Sequence, residues 1–311
     1  MSERRAHLDA TAVVAMLVLC SLWGLQQVAI KVANAGISPV LQAGLRSAGA
    51  VVLLWGWSAW RGQRLFGRSP AELGLGAVAG LLFASEFVLI YGALVHTTAS
   101  RAVLFLYTAP FWTAIGLHLL VPGERLSRIQ AAGLVCAFAG VAVAFVDALR
   151  LPSGTELMGD LMILAAAVLW AATTVVIRAS RLVTLPAVRT LFYQLFVSAV
   201  VLVLASLALG EPGIVEVTPL VAGSLAFQIV VVAFASYLMW FWLITRYPAS
   251  RLAAFSFLTP LYGIIAGGVL LSEPITPALV AALVLVGAGI QLVNRRGPAL
   301  PAAKPAAKPA S

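Results

Sequence analysis

Long apolar runs, separated by short polar connectors, dominate this chain of 311 residues. A helix needs about 20 apolar residues to span the hydrocarbon core of a bilayer. Runs of this kind cover residues 11–33, 38–60, 72–94, 98–121, 127–146, 158–178, 186–208, 218–243, 249–271 and 275–293. The connectors carry helix breakers such as Pro122-Gly123 and Glu273-Pro274. The pattern predicts an all-α integral membrane protein with ten transmembrane helices.

The amino-acid composition argues against a soluble domain and against a nucleic-acid-binding protein. The chain is 62% hydrophobic and 10% charged, which is too little charge to cover a soluble domain of this size. Its formal net charge is +9, but the basic residues are scattered among the connectors and form no single face for nucleic acid. Cys20 and Cys136 lie inside apolar runs and are expected to be free buried thiols. The predicted surroundings are therefore a lipid bilayer, without nucleic acid.

The distribution of Lys and Arg predicts the orientation of the helices. With the N-terminus in the cytoplasm, the outside holds only Lys31, Arg101 and Arg150, and Arg46 lies within a helix. The cytoplasmic segments then hold Arg4, Arg5, Arg61, Arg64, Arg68, Arg125, Arg128, Arg178, Arg181, Arg189, Arg246, Arg251, Arg295, Arg296, Lys304 and Lys308. We therefore expect a multi-pass protein of a bacterial-type inner (plasma) membrane, with both termini cytoplasmic.

The two halves of the chain repeat one another. Leu22-Trp23 matches Leu169-Trp170, and Ala99-Ser100-Arg101 matches Ala249-Ser250-Arg251. Further matches at similar offsets are Pro39 with Pro186, Pro110 with Pro260, Glu124 with Glu273 and Gly140 with Gly289. Each half has five predicted spans, an odd number, so the second half must be inverted in the membrane.

This repeat divides the chain into five parts. We expect a cytoplasmic N-terminus over residues 1–10 and a first five-helix repeat over 11–146. A periplasmic linker over 147–157 and a second, inverted five-helix repeat over 158–293 follow. Residues 294–311, rich in Pro, Ala and Lys, are expected to form a disordered cytoplasmic tail.

The repeated residues also carry a family resemblance. The first half contains Thr98-Ala99-Ser100-Arg101, Thr108-Ala109-Pro110 and Gly123-Glu124-Arg125-Leu126-Ser127, and the second runs from Tyr247-Pro248-Ala249-Ser250 through Pro260 to Gly289. Over nearly its whole length the chain resembles the EamA family of the drug/metabolite transporter superfamily, of the bacterial metabolite and amino-acid exporter type. The resemblance implies a central cavity lined by helices 1–4 and 6–9, with helices 5 and 10 at the periphery.

Prolines and aromatic residues mark a candidate site near the midplane. Pro110 and Pro260 fall in the middle of the fourth and ninth runs, where proline removes a helical hydrogen bond. We interpret them as kinks or hinges of a cavity, against a purely structural kink. Neighbouring aromatics are Tyr107, Trp112 and Tyr262, which could also serve ordinary packing or contact lipid.

Two mirrored polar–aromatic stripes are predicted on the first and sixth helices. Trp23 and Gln27 are four residues apart, as are Trp170 and Thr174, so each pair shares a helix face. Such stripes could bind a small amphipathic solute. The alternative is hydrogen bonding between helices, which Gln and Thr also provide in membranes.

Charged residues inside the predicted spans are few. Arg46 and Glu86 are expected at similar depth, and a buried charge in a membrane needs a partner or water. They could pair with each other, bind a carboxylate and an ammonium group of the solute, or, for Glu86, carry a proton for coupling. Tyr193 stands at the position of Arg46 in the second half. The candidate cavity is therefore chemically lopsided.

These features favour a secondary transporter, either an exporter or a facilitator, that moves small metabolites by alternating access. Amino acids or related amphipathic solutes are the expected substrates. We expect no enzyme, cofactor or metal site, because the sequence has neither a phosphate-binding loop nor a catalytic set of polar residues. A non-transporting sensor or scaffold, or less readily a membrane-embedded enzyme, is the alternative. Solute identity, coupling ion, direction and oligomeric state are not indicated by the sequence.

Overall fold

The fold is a bundle of helices, seen in a computed structural model that describes residues 7–67, 69–149, 151–272 and 276–295. Its helical segments are α1 Ala10–Ala33, α2 Pro39–Trp60, α3 Pro70–Ala93, α4 Ala99–Leu120, α5 Arg128–Ala144, α6 Gly154–Ala179, α7 Ala187–Ala208, α8 Pro219–Arg246, α9 Ala249–Leu271 and α10 Ala278–Asn294. Within the described ranges, the β-type pairing is one isolated bridge between Ile37 and Ile214. The predicted all-α class is confirmed.

Seven of these segments are long and apolar enough to cross a membrane: α1, α3, α4, α6, α7, α8 and α9. α5 and α10 are shorter apolar helices. α2 has 22 residues and buries Gln42, Arg46 and Ser47, and it is not among the seven. The chain is therefore a multi-pass helical membrane protein. The number of ten spans, their inverted arrangement and the five-part division stay predictions.

Local sequence signals set the helix ends. Pro39, Pro70 and Pro219 occupy the first turns of their helices, where the missing N–H has no helical partner to lose. Ser153 and Glu156 form a capping box at the start of α6. This cap starts the helix at Gly154, four residues before the predicted start at residue 158.

Three of the long segments depart from regular α-helix. α4 breaks at Tyr107 and resumes at Ala109, because Pro110 cannot donate a hydrogen bond and its ring would crowd the preceding turn. α9 passes through a 3-10 turn, Ala254–Phe257, before its main part starts at Leu258. α8 contains a nine-residue π-helix, Gln228–Ser236. The irregular backbone of these segments is concentrated near the middle of the bundle.

The main contacts between helices have an internal symmetry: they stay the same when the two halves of the chain are exchanged. α1 contacts α8 and α9, while α6 contacts α3 and α4. α3 packs on α7, and α8 packs on α2. α2 also contacts α7, and α5 contacts α10. If α1 to α5 are exchanged with α6 to α10 in order, every contact in this set becomes a contact of the same set.

Small residues allow the closest of these contacts, between α5 and α10. A Cβ atom on Gly289 would lie 2.5 Å from the Gly133 carbonyl oxygen, and one on Gly140 would lie 2.8 Å from the Ala282 carbonyl oxygen. Such approaches leave no room for a side chain, so the backbones touch directly. α5 and α10 therefore pack closely against each other at the edge of the bundle.

Some predicted features fall on parts of the chain that lie outside the described residues. They are most of the N-terminal segment 1–10, most of the tail 294–311, Glu273-Pro274-Ile275, Arg68 and Arg150.

Candidate functional site

A cavity of about 260 Å³ lies between the helices of the two halves. Its lining comes from α1, α3, α4, α6, α7, α8 and α9, together with Leu94 directly after α3. No described residue of α2, α5 or α10 lines it. The cavity is large enough for a small organic molecule and is built jointly by the two halves.

Aromatic rings form much of the cavity wall. Trp23 meets Trp240 edge-on with ring centroids 5.8 Å apart, and Tyr107 meets Trp170 in the same way at 6.0 Å. The other aromatic residues of the lining are Phe83, Phe87, Tyr91, Tyr237 and Phe241. Rings arranged in this way present both edges and faces to an occupant, which suits an apolar or cationic group.

Three polar side chains of the wall, Glu86, Gln194 and Thr259, have a buried atom without a hydrogen-bond partner among the described residues. Glu86 is 6% exposed, and its Oε2 atom accepts no hydrogen bond from the described residues. Gln194 is 4% exposed, and its Oε1 atom is likewise unpartnered there. Buried acceptors usually receive a hydrogen bond, because a buried acceptor without one costs about 1–3 kcal/mol. Glu86, Gln194 and Thr259 are therefore the side chains of the wall whose hydrogen bonding is incomplete among the described residues.

Arg46 lies near Glu86 but does not line the cavity. Its guanidinium carbon is 4.6 Å from the centroid of the Phe87 ring, a cation–π contact, and the residue is completely buried. Among the described ion pairs, none joins Arg46 to Glu86 within 4.0 Å. Arg46 therefore lies behind Phe87, outside the lining of the cavity.

Several hydroxyl groups of the wall already donate their hydrogens to their own helix. Thr173 Oγ1 donates to the Leu169 carbonyl at 2.9 Å, and Ser256 Oγ donates to the Ala253 carbonyl at 2.7 Å. Trp23 donates through Nε1 to Ser236 Oγ at 2.9 Å, just behind the wall. A hydroxyl whose hydrogen is already committed offers only lone pairs, so Thr173 and Ser256 can act only as acceptors towards an occupant.

Buried ion pairs tie the helix ends together away from the cavity. Asp160 at the start of α6 binds Arg101 of α4 in a salt bridge and accepts a hydrogen bond from Thr97 Oγ1 at 2.8 Å. At the other end of α6, Arg178 Nε donates to Glu124 Oε1 at 2.6 Å. Glu124 Oε2 also accepts from the Ser250 backbone N–H at 3.1 Å. α6 is therefore clamped at both ends, to α4 at one and to the loop before α5 at the other.

Seven of the residues predicted from sequence lie in the cavity wall. They are Trp23, Gln27, Glu86, Tyr107, Pro110, Trp170 and Thr174. The structure thus gathers both mirrored stripes and the α4 proline around one space. Whether these residues bind a solute or act as hinges stays a prediction.

Five other predicted residues lie outside the wall. Arg46 is buried behind it, and Trp112 is 39% exposed on the outer surface of the bundle. The Tyr193 hydroxyl points away from the cavity and donates to Glu72 Oε1 at 2.8 Å near the start of α3. Tyr262 packs against Gly24 of α1, and Pro260 is buried next to Thr259, which does line the cavity.

Sequence reasoning missed several residues of the wall. The main ones are Gln26, Phe83, Phe87, Gln194, Tyr237 and Trp240. Gln194 had an available signal, because a glutamine inside a predicted span needs a partner just as a charge does. The aromatic residues had none, since Phe and Trp are common on every face of a membrane helix.

Metal binding has no support in the part of the chain that the structure describes. No group of three or more His, Cys, Asp or Glu side chains there is arranged to hold a metal ion.

Comparison with known proteins gives this cavity a family context. The chain is 29% identical over 293 residues to the uncharacterized transporter YvbV of Bacillus subtilis (strain 168), covering 92% of each chain. It is also 29% identical to a protein named probable amino-acid metabolite efflux pump in Escherichia coli (strain K12), covering 90% of this chain and 93% of that one. A crystal structure with 22% sequence identity superposes with a TM-score of 0.79 over 92% of this chain and 96% of the other, which supports the same fold.

The family model matches the chain twice. The EamA-like transporter family covers residues 10–146 and again residues 157–295. The family and the named relatives are transporters, so this protein is a membrane transporter and not an enzyme. With both halves matched and the resemblance of the sequence confirmed, the chain belongs to the EamA-like transporter family.

Proposed function

We propose that this protein is a secondary transporter that moves amino acids or related amphipathic solutes by alternating access at the cavity between its two halves. The observation that carries the proposal is the cavity itself. One space with aromatic walls and unpartnered acceptors is assembled from seven helices of the two halves. The relatives named as probable amino-acid metabolite efflux pumps support this solute class.

An inverted pair of five-helix repeats is the architecture we infer. The helix contacts are preserved when the halves are exchanged, which is expected of a two-fold related pair. The crossing of α5 and α10 supports it in detail, because Gly133 meets Gly289 while their sequence equivalents, Ala282 and Gly140, meet each other. An odd number of spans in each half makes the repeats antiparallel. In alternating access, the two repeats would exchange conformations, which produces the two-fold related arrangement that opens to the other side.

The proposed location is the inner membrane, with both termini in the cytoplasm. Interfacial residues of α2 support this orientation. Trp55 and Trp60 are 64% and 75% exposed at the end that the distribution of Lys and Arg assigns to the cytoplasm. Arg61 lies over the Trp57 and Trp60 rings at 4.8 and 5.2 Å. Tryptophan and arginine are the usual anchors of such an end.

The orientation is tested by cysteine accessibility in intact cells, in a background without Cys20 and Cys136. Gln63→Cys and Ser180→Cys should both be closed to a membrane-impermeant maleimide, and Ala35→Cys should react. Ser180 lies in the loop equivalent to the one that holds Ala35, and an inverted second repeat places these two equivalent loops on opposite sides of the membrane. Labelling of only one of Gln63→Cys and Ser180→Cys would contradict the antiparallel arrangement.

Transport is tested by solute counterflow in liposomes that contain the purified full chain. A panel of radiolabelled amino acids, sugars and nucleosides is offered from outside to vesicles preloaded with the same unlabelled solute. We expect transient accumulation of one or more amino acids or related compounds, and none in vesicles without protein. A sensor, scaffold or enzyme would give no counterflow with any member of the panel.

Proton coupling through Glu86 is the driving force we propose for net movement. The side chain is buried in the cavity, and its Oε2 atom has no partner among the described residues, so it can take up and release a proton. Glu86→Gln should then abolish uptake driven by a pH gradient while exchange at equal pH persists. Unchanged pH-driven uptake in this variant would remove Glu86 from the coupling.

A further inference from the structure

We infer that the cavity selects solutes that carry a protonated amine on an apolar or aromatic body and no free negative charge. The inference rests on the proposed transport function and narrows its substrate class. It assigns Glu86 to the ammonium group and the aromatic wall to the body of the solute. Amines, and amino-acid derivatives whose carboxyl group is missing or masked, fit this description better than free amino acids.

Two of the three unpartnered polar atoms of the cavity wall are acceptors, and the third is the hydroxyl oxygen of Thr259. Glu86 Oε2 and Gln194 Oε1 are buried and lack a donor among the described residues. Thr173 and Ser256 have committed their hydroxyl hydrogens to backbone carbonyls. An ammonium group offers up to three donors and no acceptor, so it satisfies such a wall. A hydrogen bond from an ammonium to a buried carboxylate is also among the stronger kinds.

The rings beside Glu86 suit the rest of a cationic solute. Phe83 and Phe87 lie one turn before and directly after Glu86 on α3, with their ring centroids 5.0 Å apart. Tyr237 meets Phe83 edge-on at 6.2 Å, and Trp23 and Trp240 complete this side of the cavity. Aromatic faces attract a positive charge and its attached CH₂ groups while excluding water. The carboxylate and the rings therefore act on the same end of the solute.

A free carboxylate on the solute finds no cationic partner among the described residues of the wall. Among the described residues that line the cavity, Glu86 is the single one with a charged side chain, and none is Lys or Arg. Arg46, the nearest cation, is fully buried outside the lining and lies over Phe87. A zwitterion would find only neutral donors, such as the Gln26 and Gln27 amides, for its negative group. We therefore expect an amine to bind more tightly than the matching amino acid.

The test compares four ligands that share one body: phenethylamine, 2-phenylethanol, 3-phenylpropionate and phenylalanine. Binding to the purified full chain is followed by saturable quenching of its tryptophan fluorescence, since Trp23, Trp170 and Trp240 line the cavity. Phenethylamine should bind at least about tenfold more tightly than each of the others, the ratio that one charge-assisted hydrogen bond supplies. Equal affinities, or no saturable binding of phenethylamine, would overturn the inference.

Variants at Glu86 identify the group responsible. Glu86→Gln should remove the preference for the amine, and Glu86→Asp should keep part of it because the charge remains. Glu216→Gln is the matched control, since Glu216 is an exposed residue of the loop before α8. A second variant, Gln194→Leu, should weaken phenethylamine by about fivefold through loss of one neutral acceptor. Each variant is first checked for a single symmetric peak on size exclusion.

The outcomes separate this inference from the proposed function. Counterflow of amino acids without any preference for amines would leave the transporter standing and refute the substrate class. An amine preference that survives in Glu86→Gln would also refute it. A Glu86→Gln protein that keeps full affinity for phenethylamine but loses pH-driven uptake would assign the carboxylate to the proton alone. Absence of counterflow with every solute would instead refute the proposed function.

Discussion

The buried carboxylates at the two ends of α6 differ from the buried carboxylate of the cavity in how fully they are hydrogen-bonded. Asp160 and Glu124 are each 4% exposed, and each holds an arginine and a further hydrogen-bond donor. Glu86 is as deeply buried, yet one of its oxygens has no partner among the described residues. Fully paired groups fix the positions of helices. A carboxylate with an unpartnered oxygen in an aromatic cavity can instead bind a solute or a proton.

Breaking an end pair should have the largest effect. Asp160→Asn leaves the Arg101 guanidinium buried without its counter-charge, which typically costs about 3–5 kcal/mol. We expect a clear drop in the thermal unfolding temperature of the detergent-purified protein. Glu86→Gln breaks no described ion pair within 4.0 Å but removes a carboxylate near the buried Arg46, so its effect on that temperature should be smaller. Equal losses in the two variants would erase the distinction between structural and open carboxylates.

Separating the peripheral helices should have an intermediate effect on stability and none on ligand affinity. Gly289→Leu places a side chain where the Gly133 carbonyl lies 2.5 Å from a Cβ atom, and overpacking of this kind costs about 1–3 kcal/mol. Gly287→Leu on the same helix is the control, because a Cβ atom there meets nothing within 4 Å. Thermal unfolding of the two variants decides. If Gly287→Leu destabilised the protein as much, the tight α5–α10 crossing would not explain the loss.

Loss of the Tyr193 hydroxyl, next to the start of α3, should have the smallest effect. Tyr193→Phe removes the hydrogen bond to Glu72 and the acceptor for the Gly67 backbone N–H, which lies 2.6 Å from the hydroxyl oxygen. A net change of about 1 kcal/mol in unfolding free energy is expected. Ligand affinity should stay within twofold, because Tyr193 does not line the cavity. A large change in ligand affinity would instead support the prediction from sequence that Tyr193 belongs to the binding site.

Helix existence and membrane character could be read from the sequence because they depend on apolar length, a property that needs no neighbours. The α4 break followed from Pro110 for the same reason, since proline acts on its own helix. The family could be recognised because its repeated residues stand at fixed offsets in both halves.

Side-chain direction could not be read in the same way. Tyr193 and Gln194 are adjacent, but successive residues on a helix point about 100° apart. Gln194 therefore faces the cavity while Tyr193 reaches Glu72. Trp112 and Thr113 divide likewise, with the tryptophan exposed and the threonine in the wall. Arg46 had to be buried by its charge, but only packing decides which side of Phe87 it takes.

The most direct test asks whether the cavity is the path of the solute. In a background without Cys20 and Cys136, Thr173→Cys lies in the wall and Ile115→Cys lies on the outer surface, where Ile115 is 46% exposed. The reconstituted variants are treated with a small water-soluble maleimide and assayed for counterflow. Labelling at residue 173 should block counterflow and be slowed by the transported solute, whereas treatment of Ile115→Cys should change nothing. Full counterflow through protein labelled at residue 173 would contradict the account.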